Sequence, residues 1–153
     1  MFPNDPKSIK ARSSKELKVV IYLLNKYPNL IYNKPFYVDL EGGCCSTKRR
    51  IDLRMLINST MLCIEIDEEQ HKQYIKYDEN IRYDNLFMDF SGKYIFIRYN
   101  PDKFIDKYNS SKNPFFQTRM DVLENNINKH IQRIENCLNT DLIEIHHLFY
   151  NEN

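Results

Sequence analysis

An apolar stretch in the middle of the chain, MLCIEI at 61–66, contains one carboxylate and is followed directly by others. Glu65 lies between two isoleucines, and Asp67 and His71 come within six residues of it. Burying an uncompensated carboxylate is costly, so such groups are normally paired, exposed or bound to a metal. The spacing therefore indicates that Glu65 has a charged partner or a bound cation.

A predicted β-hairpin brings a second carboxylate towards this strand. Two apolar runs, RRIDLRMLI and MLCIEID, are joined by Asn58-Ser59-Thr60, which has the composition and length of a turn. Asp52 lies seven residues before the centre of this turn and Glu65 six after it. Antiparallel pairing therefore puts them roughly opposite or diagonal to each other. Glu65 and Asp67 project from one face of their strand, because side chains alternate.

Three carboxylates on one patch would repel one another and raise one another's pKa. A hard divalent cation such as Mg²⁺, bound through carboxylate oxygens, removes that conflict. Two other interpretations stay open. Acidic residues just before a helix favour the positive end of its dipole, and Asp52 could form an ordinary surface ion pair with Arg49, Arg50 or Arg54. A lone histidine such as His71 is typical of a structural residue, although its place after the acidic strand favours a role in a site.

The surrounding pattern predicts an α/β fold with a mixed central β-sheet flanked by helices. Helices are predicted for SSKELKVVIYLLNKY, with Ser13 or Ser14 as N-cap and an end before Pro28, for KYDENIRYDNLFMDF, and for PFFQTRMDVLENNINKHIQRIENCL. Strands are predicted for KPFYVDL, KYIFIRYNPD and LIEIHHLFY, and a loop for EGGCCSTK. The expected apolar stripes are Leu17, Val20, Ile21 and Leu24 in the first helix, and Met120, Leu123, Ile127, Ile131, Ile134 and Leu138 in the last.

Composition favours an ordinary globular domain. The chain has 153 residues, 42% hydrophobic and 28% charged, with a net charge of +1. That charge does not indicate a nucleic-acid binder, so such a role must come from local basic patches. The chain has neither a secretory signal nor about 18 consecutive apolar residues, so no membrane span is expected. Four cysteines fit neither a disulfide framework nor zinc spacing, which predicts an intracellular location, cytoplasmic or nuclear.

The hairpin and the elements after it resemble the PD-(D/E)XK nuclease superfamily. RRIDL, a strand-length gap, IEIDEEQH, the Y, R and L of the following helix, and IFIRYNPD carry the resemblance over roughly residues 14–104. The similar branch contains very-short-patch-repair endonucleases, EDxHD homing endonucleases and restriction-like proteins of large DNA viruses. The resemblance implies a restriction-endonuclease-like core within one domain, 1–153, with a C-terminal helix and strand at 114–150. If the chain is viral, the host cytoplasm or the virion is its expected location.

The resemblance also implies a metal-dependent endonuclease that hydrolyses DNA phosphodiester bonds. In that superfamily a helix glutamate, a strand aspartate and a residue on the next strand position a divalent metal, and these correspond to Glu16, Asp52 and Glu65. The carbonyl of Ile66 is expected to add a ligand. The expected cofactor is Mg²⁺, with Mn²⁺ as a substitute. His71 is expected to act as the general base or to hydrogen-bond the phosphate.

The chain departs from the superfamily motif in two places, and it has no clear counterpart of the structural zinc site of the mismatch-repair relatives. RRID replaces the signature proline-aspartate, and Asp67 stands where the motif has a lysine. Either His71 takes over the role of that lysine, or Asp67 holds a second metal. Arg82, on the following helix, could approach the phosphate or pair with Asp67, and pairing is favoured. Gln70 is expected to contact the water or a backbone phosphate. Cys44 and Cys45 are interpreted as core residues rather than zinc ligands.

DNA is the expected partner, through basic residues near the hairpin and in the N-terminal arm. The set comprises Lys48, Arg49, Arg50, Arg54, Arg82, Lys7, Lys10, Arg12 and Lys15. Tyr74 and Tyr77 either stack on bases or belong to the core. The sequence leaves the oligomeric state open, a homodimer included. Two other functions stay open: a catalytically inactive PD-(D/E)XK-like DNA-binding module, and a metal-dependent phosphoesterase acting on RNA.

Overall fold

The structure is a computed structural model that describes residues 6–32, 51–68 and 92–152, with side chains described from residue 15 onwards. Within these ranges the helices are α1 (Pro6–Lys26) and α2 (Phe116–Glu135). The strands are β1 (Ile31–Tyr32), β2 (Leu53–Ile57), β3 (Thr60–Ile66), β4 (Lys93–Tyr99), β5 (Phe104–Ile105), β6 (Ser111–Lys112) and β7 (Ile143–Leu148).

One mixed sheet contains β1, β2, β3, β4 and β7 in that order, and β5 pairs with β6 separately. β1, β2 and β3 are antiparallel neighbours, whereas β3–β4 and β4–β7 are parallel pairs. Helices flank this sheet, so the predicted α/β class with a mixed central sheet is confirmed. Because parallel strands end at the same edge of a sheet, the carboxyl ends of β3, β4 and β7 lie together.

The hydrophobic core lies on both faces of the sheet. On one face α1 and α2 pack in a single apolar cluster that includes Leu23, Leu62, Ile97 and Leu123. A second cluster on the other face consists of Ile51, Met61, Cys63, Tyr94 and Phe96. Burial on both faces explains why β3 and β4 are almost continuous runs of apolar residues in the sequence.

The first helix is longer than predicted and presents a different side to the core. It begins at Pro6 instead of at a cap formed by Ser13 or Ser14, and proline is well suited to the first position of a helix. Its predicted end before Pro28 is confirmed. The expected stripe is partly wrong, because Leu17 and Ile21 are exposed.

Tertiary packing determines which side of α1 faces the core. Val19, Val20 and Leu23 are buried. The hydroxyl of Tyr22 donates to Glu124 Oε1 at 2.6 Å, and the hydroxyl of Tyr27 donates to Asn128 Oδ1 at 2.7 Å. These hydrogen bonds fix which side of α1 faces α2, and the spacing of apolar residues along α1 cannot predict them.

The C-terminal helix and strand are confirmed, except for the last position of the helix stripe. Leu138 is exposed, because the helix ends before it. Cys137 has a positive φ of 57°. The amides of Cys137 and Leu138 donate back to the carbonyls of Ile134 and Arg133, which is the Schellman pattern that ends a helix.

The predicted hairpin is also confirmed, with a turn of two residues. Asn58 and Ser59 form the turn, Asn58 has a φ of 53°, and Thr60 already belongs to β3. β1 was not predicted; Ile31 and Tyr32 pair with the start of β2. The predicted strand KPFYVDL, the loop EGGCCSTK and the helix KYDENIRYDNLFMDF lie outside the described residues.

Candidate metal centre

Asp52 directly precedes β2 and lies beside the end of β3. The strand register pairs Leu53 with Ile64, and continuing it by one pair puts Asp52 opposite Glu65. The backbone N–H of Ile66 donates to Asp52 Oδ2 at 2.8 Å. The hairpin therefore brings the two carboxylates together, and a backbone hydrogen bond holds Asp52 at the carboxyl end of β3.

Three carboxyl groups interact at this position. Burial, the strongest influence, raises the pKa of Asp52 to about 8, against the lowering effect of the Ile66 N–H. The charges of Glu16 and Glu65 raise this pKa further, as does a side-chain hydrogen bond with Glu16. Residues from α1, β2 and β3 thus meet in one acidic cluster, in which Asp52 keeps a proton at neutral pH when no cation is bound.

Glu65 is buried in the sheet and lies beside a positive charge. Its side chain is 3% exposed, and its pairing partner on β4 is Arg98, whose side chain is 7% exposed. Arg98 Nε lies 3.8 Å from Glu65 Oε2. The compensating charge that the sequence pattern requires for Glu65 therefore comes from the neighbouring parallel strand.

Asp67 is completely buried and contacts the same guanidinium more closely. Arg98 Nε donates to Asp67 Oδ2 at 2.5 Å, and the hydroxyl of Tyr150 donates to the same oxygen. Burial, and then the charge of Asp67, raises the pKa of Tyr150 well above its usual range, so this hydroxyl keeps its proton. The expected pairing of Asp67 with Arg82 cannot be compared, because Arg82 lies outside the described residues.

A turn after β7 positions Tyr150. Phe149 has a positive φ of 64°, which is unusual for an aromatic residue and turns the chain back towards the sheet. The side-chain amide of Asn100 donates to the carbonyl of Phe149 at 2.7 Å. The Arg119 guanidinium lies 5.0 Å from the centre of the Phe149 ring. The buried Asn100 of the sequence IFIRYNPD therefore helps to hold the C-terminal segment against the site.

A polar row crosses the sheet beyond Glu65. Arg98 pairs with Glu65 on one side and with His147 of β7 on the other, so these side chains share a face. The His147 ring lies 4.7 Å from that of Tyr150, centre to centre. Sequence reasoning missed Arg98, His147 and Tyr150. Arg98 could have been found from the sequence, because it is a charged residue within an apolar strand. The positions of His147 and Tyr150 near the site depend on the order of strands in the sheet, which local sequence does not indicate.

Other predicted site residues fall into two groups. Arg54, expected to contact DNA, lies on β2 opposite Cys63 and is buried. Its contact with DNA stays a prediction. Lys15 is exposed and forms an ion pair with Asp102. The part of α1 whose side chains are not described contains Lys7, Lys10 and Arg12. The other residues named in the sequence analysis lie outside the described ranges altogether: Lys48, Arg49, Arg50, Gln70, His71, Tyr74, Tyr77, Arg82, Cys44 and Cys45.

A second cluster of potential ligands lies between α2 and β7. Candidate ligand atoms of His130, Glu144 and His146 lie within 4.8 Å of one another. Burial, followed by the charge of His146, lowers the pKa of His130 to about 4. Hydrogen bonds from Arg133 are the main cause that lowers the pKa of Glu144 to about 2.

Arg133 already supplies a cation to this second cluster. Its two terminal nitrogens donate to Glu144 at 2.8 and 2.9 Å, and one of them lies 3.0 Å from His130 Nδ1. A guanidinium nitrogen thus contacts two of the three candidate ligand residues. The histidine-rich donor set suits a transition metal rather than Mg²⁺, so it does not support the predicted cofactor.

Comparison of the chain with protein-family models, with curated proteins and with solved structures finds no match. In the part of the chain that the structure describes, neither helix is long and apolar enough to cross a membrane.

Proposed function

We propose that this chain is a PD-(D/E)XK-type endonuclease that hydrolyses DNA phosphodiester bonds with Mg²⁺, for which Mn²⁺ substitutes. The observation that carries the proposal is the interaction of Glu16, Asp52 and Glu65 at the end of β3. Three acidic residues from separate elements are costly to hold together without a cation, and one of them has a pKa of about 8. A divalent cation would remove this cost.

Asp52 and Glu65 would hold the cation, with the carbonyl of Ile66 as a further oxygen ligand. A bound Mg²⁺ would lower the pKa of its water and offset negative charge that builds on the phosphoryl oxygens. Asp52 would release its proton when the cation binds, because the cation replaces that proton as the counter-charge. The Ile66 N–H keeps the Asp52 carboxylate in position for this exchange. His71 is expected to act as the general base or to hydrogen-bond the phosphate.

The choice of DNA as substrate rests on the resemblance of RRIDL, IEIDEEQH and IFIRYNPD to the nuclease superfamily. The overall charge of +1 gives no separate support. The direct test is incubation of the purified protein with supercoiled plasmid, mismatched duplex, branched DNA and single-stranded RNA, each with Mg²⁺, Mn²⁺ or EDTA. Asp52→Asn and Glu65→Gln serve as matched inactive controls, because each removes a charge and keeps the shape of the side chain.

Cleavage of DNA by the wild type with Mg²⁺ or Mn²⁺, and loss of cleavage in EDTA and in both variants, would support the proposal. Full cleavage in EDTA would exclude the metal mechanism. DNA binding without cleavage under any condition would favour an inactive binding module. Cleavage confined to RNA would favour the phosphoesterase alternative.

A further inference from the structure

The acidic cluster has an internal counter-charge that comes from a different strand. Arg98 on β4 lies beside Glu65 in the sheet register, and its side chain is almost completely buried. Its Nε lies 2.5 Å from Asp67 Oδ2 and 3.8 Å from Glu65 Oε2. One guanidinium is therefore shared between the two carboxylates that Ile66 separates along β3.

The two carboxylates have different relations to this guanidinium. Asp67 is completely buried, and its Oδ2 accepts hydrogen bonds from both Arg98 and Tyr150. Charge-assisted bonds of this kind fix geometry strongly in a buried position. Glu65 lies farther from Arg98 and next to Asp52, whose pKa it raises. Asp67 is thus oriented towards Arg98, whereas Glu65 lies between Arg98 and Asp52.

We propose that Asp67 is an anchor rather than a metal ligand, and that Arg98 is a positioning residue which orients the Glu65 carboxylate for the cation. The inference rests on the proposed metal site at Asp52 and Glu65. Groups that orient a ligating carboxylate act through the ligand, and their loss typically costs about 10–100-fold in metal affinity or activity.

Removal of Arg98 would have two opposing effects on cation binding. It would remove a positive charge that repels the cation. It would also remove the buried guanidinium that hydrogen-bonds Asp67 and pairs with Glu65, so the Glu65 carboxylate would lose the contact that orients it. Because Glu65 and Arg98 are both almost fully buried and water replaces such a contact poorly, the second effect is expected to dominate, and Arg98→Gln should bind Mn²⁺ about 10–100-fold more weakly.

The test is isothermal titration of the metal-free protein with Mn²⁺, well below the melting temperature of each variant. The matched control is Asn139→Ala, which removes a buried hydrogen bond from the side-chain amide of Asn139 to Thr60 Oγ1 at 2.9 Å. Thr60 begins β3, whereas Glu65 lies near its carboxyl end, so this bond is at the opposite end of the strand from the candidate metal centre. The control should lower stability and leave Mn²⁺ affinity unchanged. A purely structural role for Arg98 predicts the same result for Arg98→Gln, and that result would overturn the inference.

A double-mutant cycle separates an anchor from a ligand. If Asp67 acts only through Arg98, Asp67→Asn should weaken Mn²⁺ binding in the wild type and add nothing to Arg98→Gln. Additive losses would identify Asp67 as a ligand in its own right and overturn the inference. Should Arg98→Gln fail to fold, the double variant removes the buried charge pair as a unit. It should still bind Mn²⁺ about 10–100-fold more weakly than the wild type, and wild-type or tighter affinity would again overturn the proposal.

Failure of the proposed function gives a different result. If the wild type binds no Mn²⁺, or if Glu65→Gln binds it equally well, the metal site itself is wrong. If Mn²⁺ binds and Glu65→Gln abolishes binding, while the Arg98 variants bind normally, only the positioning role is wrong.

Discussion

At the scale of single residues, the site depends on how one half-buried carboxyl group responds to its neighbours. Asp52 is held by the Ile66 N–H and lies next to Glu16 and Glu65. Burial raises its pKa to about 8, and the two acidic neighbours add to the shift. Without a cation, a proton therefore neutralises part of the cluster at neutral pH.

Asp52→Asn should remove a pH dependence from the stability of the metal-free protein. The folded state keeps a proton on Asp52 up to about pH 8, whereas the unfolded chain loses it near the ordinary value of 3.8. The stability that this proton supplies is fully present below the unfolded-state pKa of 3.8 and is lost as pH rises through the folded-state pKa of about 8. When denaturant unfolding is measured in EDTA, the free energy of unfolding of the wild type should therefore fall relative to that of Asp52→Asn between about pH 5 and about pH 9. The exposed Asp141→Asn is the control, and equal pH slopes for wild type and Asp52→Asn would contradict the assignment.

The same residues should affect DNA binding in the absence of metal. Asp52→Asn and Glu65→Gln should both abolish cleavage and leave metal-free DNA affinity unchanged or tighter, because negative charge near the phosphate decreases. For Asp52→Asn the gain in affinity should grow as pH rises through about 8, where the wild-type carboxyl loses its proton. Fluorescence anisotropy with labelled duplex in EDTA measures this. A clear loss of melting temperature with residual cleavage would instead identify Asp52 and Glu65 as a structural pair.

At the scale of elements, β7 is joined to α2 by a polar cluster on one face, and its other face contributes to the site. Arg133 on α2 binds both oxygens of Glu144 on β7. On the other face, His147 continues the row from Arg98, and Tyr150 beyond the strand contacts Asp67. The link to α2 therefore helps to keep the C-terminal strand in the place from which it reaches the candidate metal centre.

Arg133→Gln should lower the free energy of unfolding by about 1 kcal/mol, since the pair is charge-assisted but partly exposed. Arg133 is the main cause that lowers the pKa of Glu144 to about 2 from 4.5. The stability that this pair supplies is present above the ordinary glutamate pKa of 4.5 and is lost as pH falls towards the lowered pKa of about 2. The difference between wild type and Arg133→Gln should therefore shrink below about pH 4.5. The control is Lys129→Gln, an exposed charge on the same helix; a difference independent of pH would count against the pairing.

At the scale of the whole molecule, two clusters of potential ligands differ in donor type and in their source of positive charge. The carboxylates near Asp52 suit a hard cation, whereas His130, Glu144 and His146 suit a transition metal. In the second cluster, however, the Arg133 guanidinium already lies among the candidate ligands.

The purified protein is therefore expected to contain no stoichiometric zinc. Cys63 is buried in β3, Arg133 supplies the cation of the second cluster, and the sequence favours a core role for Cys44 and Cys45. Elemental analysis of protein purified without chelator measures this directly. About one zinc per chain would contradict the expectation, and loss of that zinc in His146→Ala would locate it between α2 and β7.

Several features could be derived from the sequence because they depend on local pattern. The turn residues Asn58 and Ser59 and the flanking apolar runs specify a hairpin, and its register alone brings Asp52 opposite Glu65. The periodicity of α2 and the apolar run of β4 were likewise sufficient for their assignment. These features involve neighbours that are close in sequence, so local spacing contains the information.

Other features were decided only by tertiary structure. The side of α1 that faces the core depends on Tyr22 and Tyr27 finding partners on α2, about a hundred residues away. Arg98 is the partner of Asp67 because β4 lies parallel to β3, and Tyr150 reaches Asp67 because β7 lies beside β4 and the chain turns at Phe149. Strand order and the direction of a turn after the last strand arise from long-range packing. The pattern of residues along the chain therefore predicts the carboxylates, and only the assembled sheet identifies the charge that compensates them.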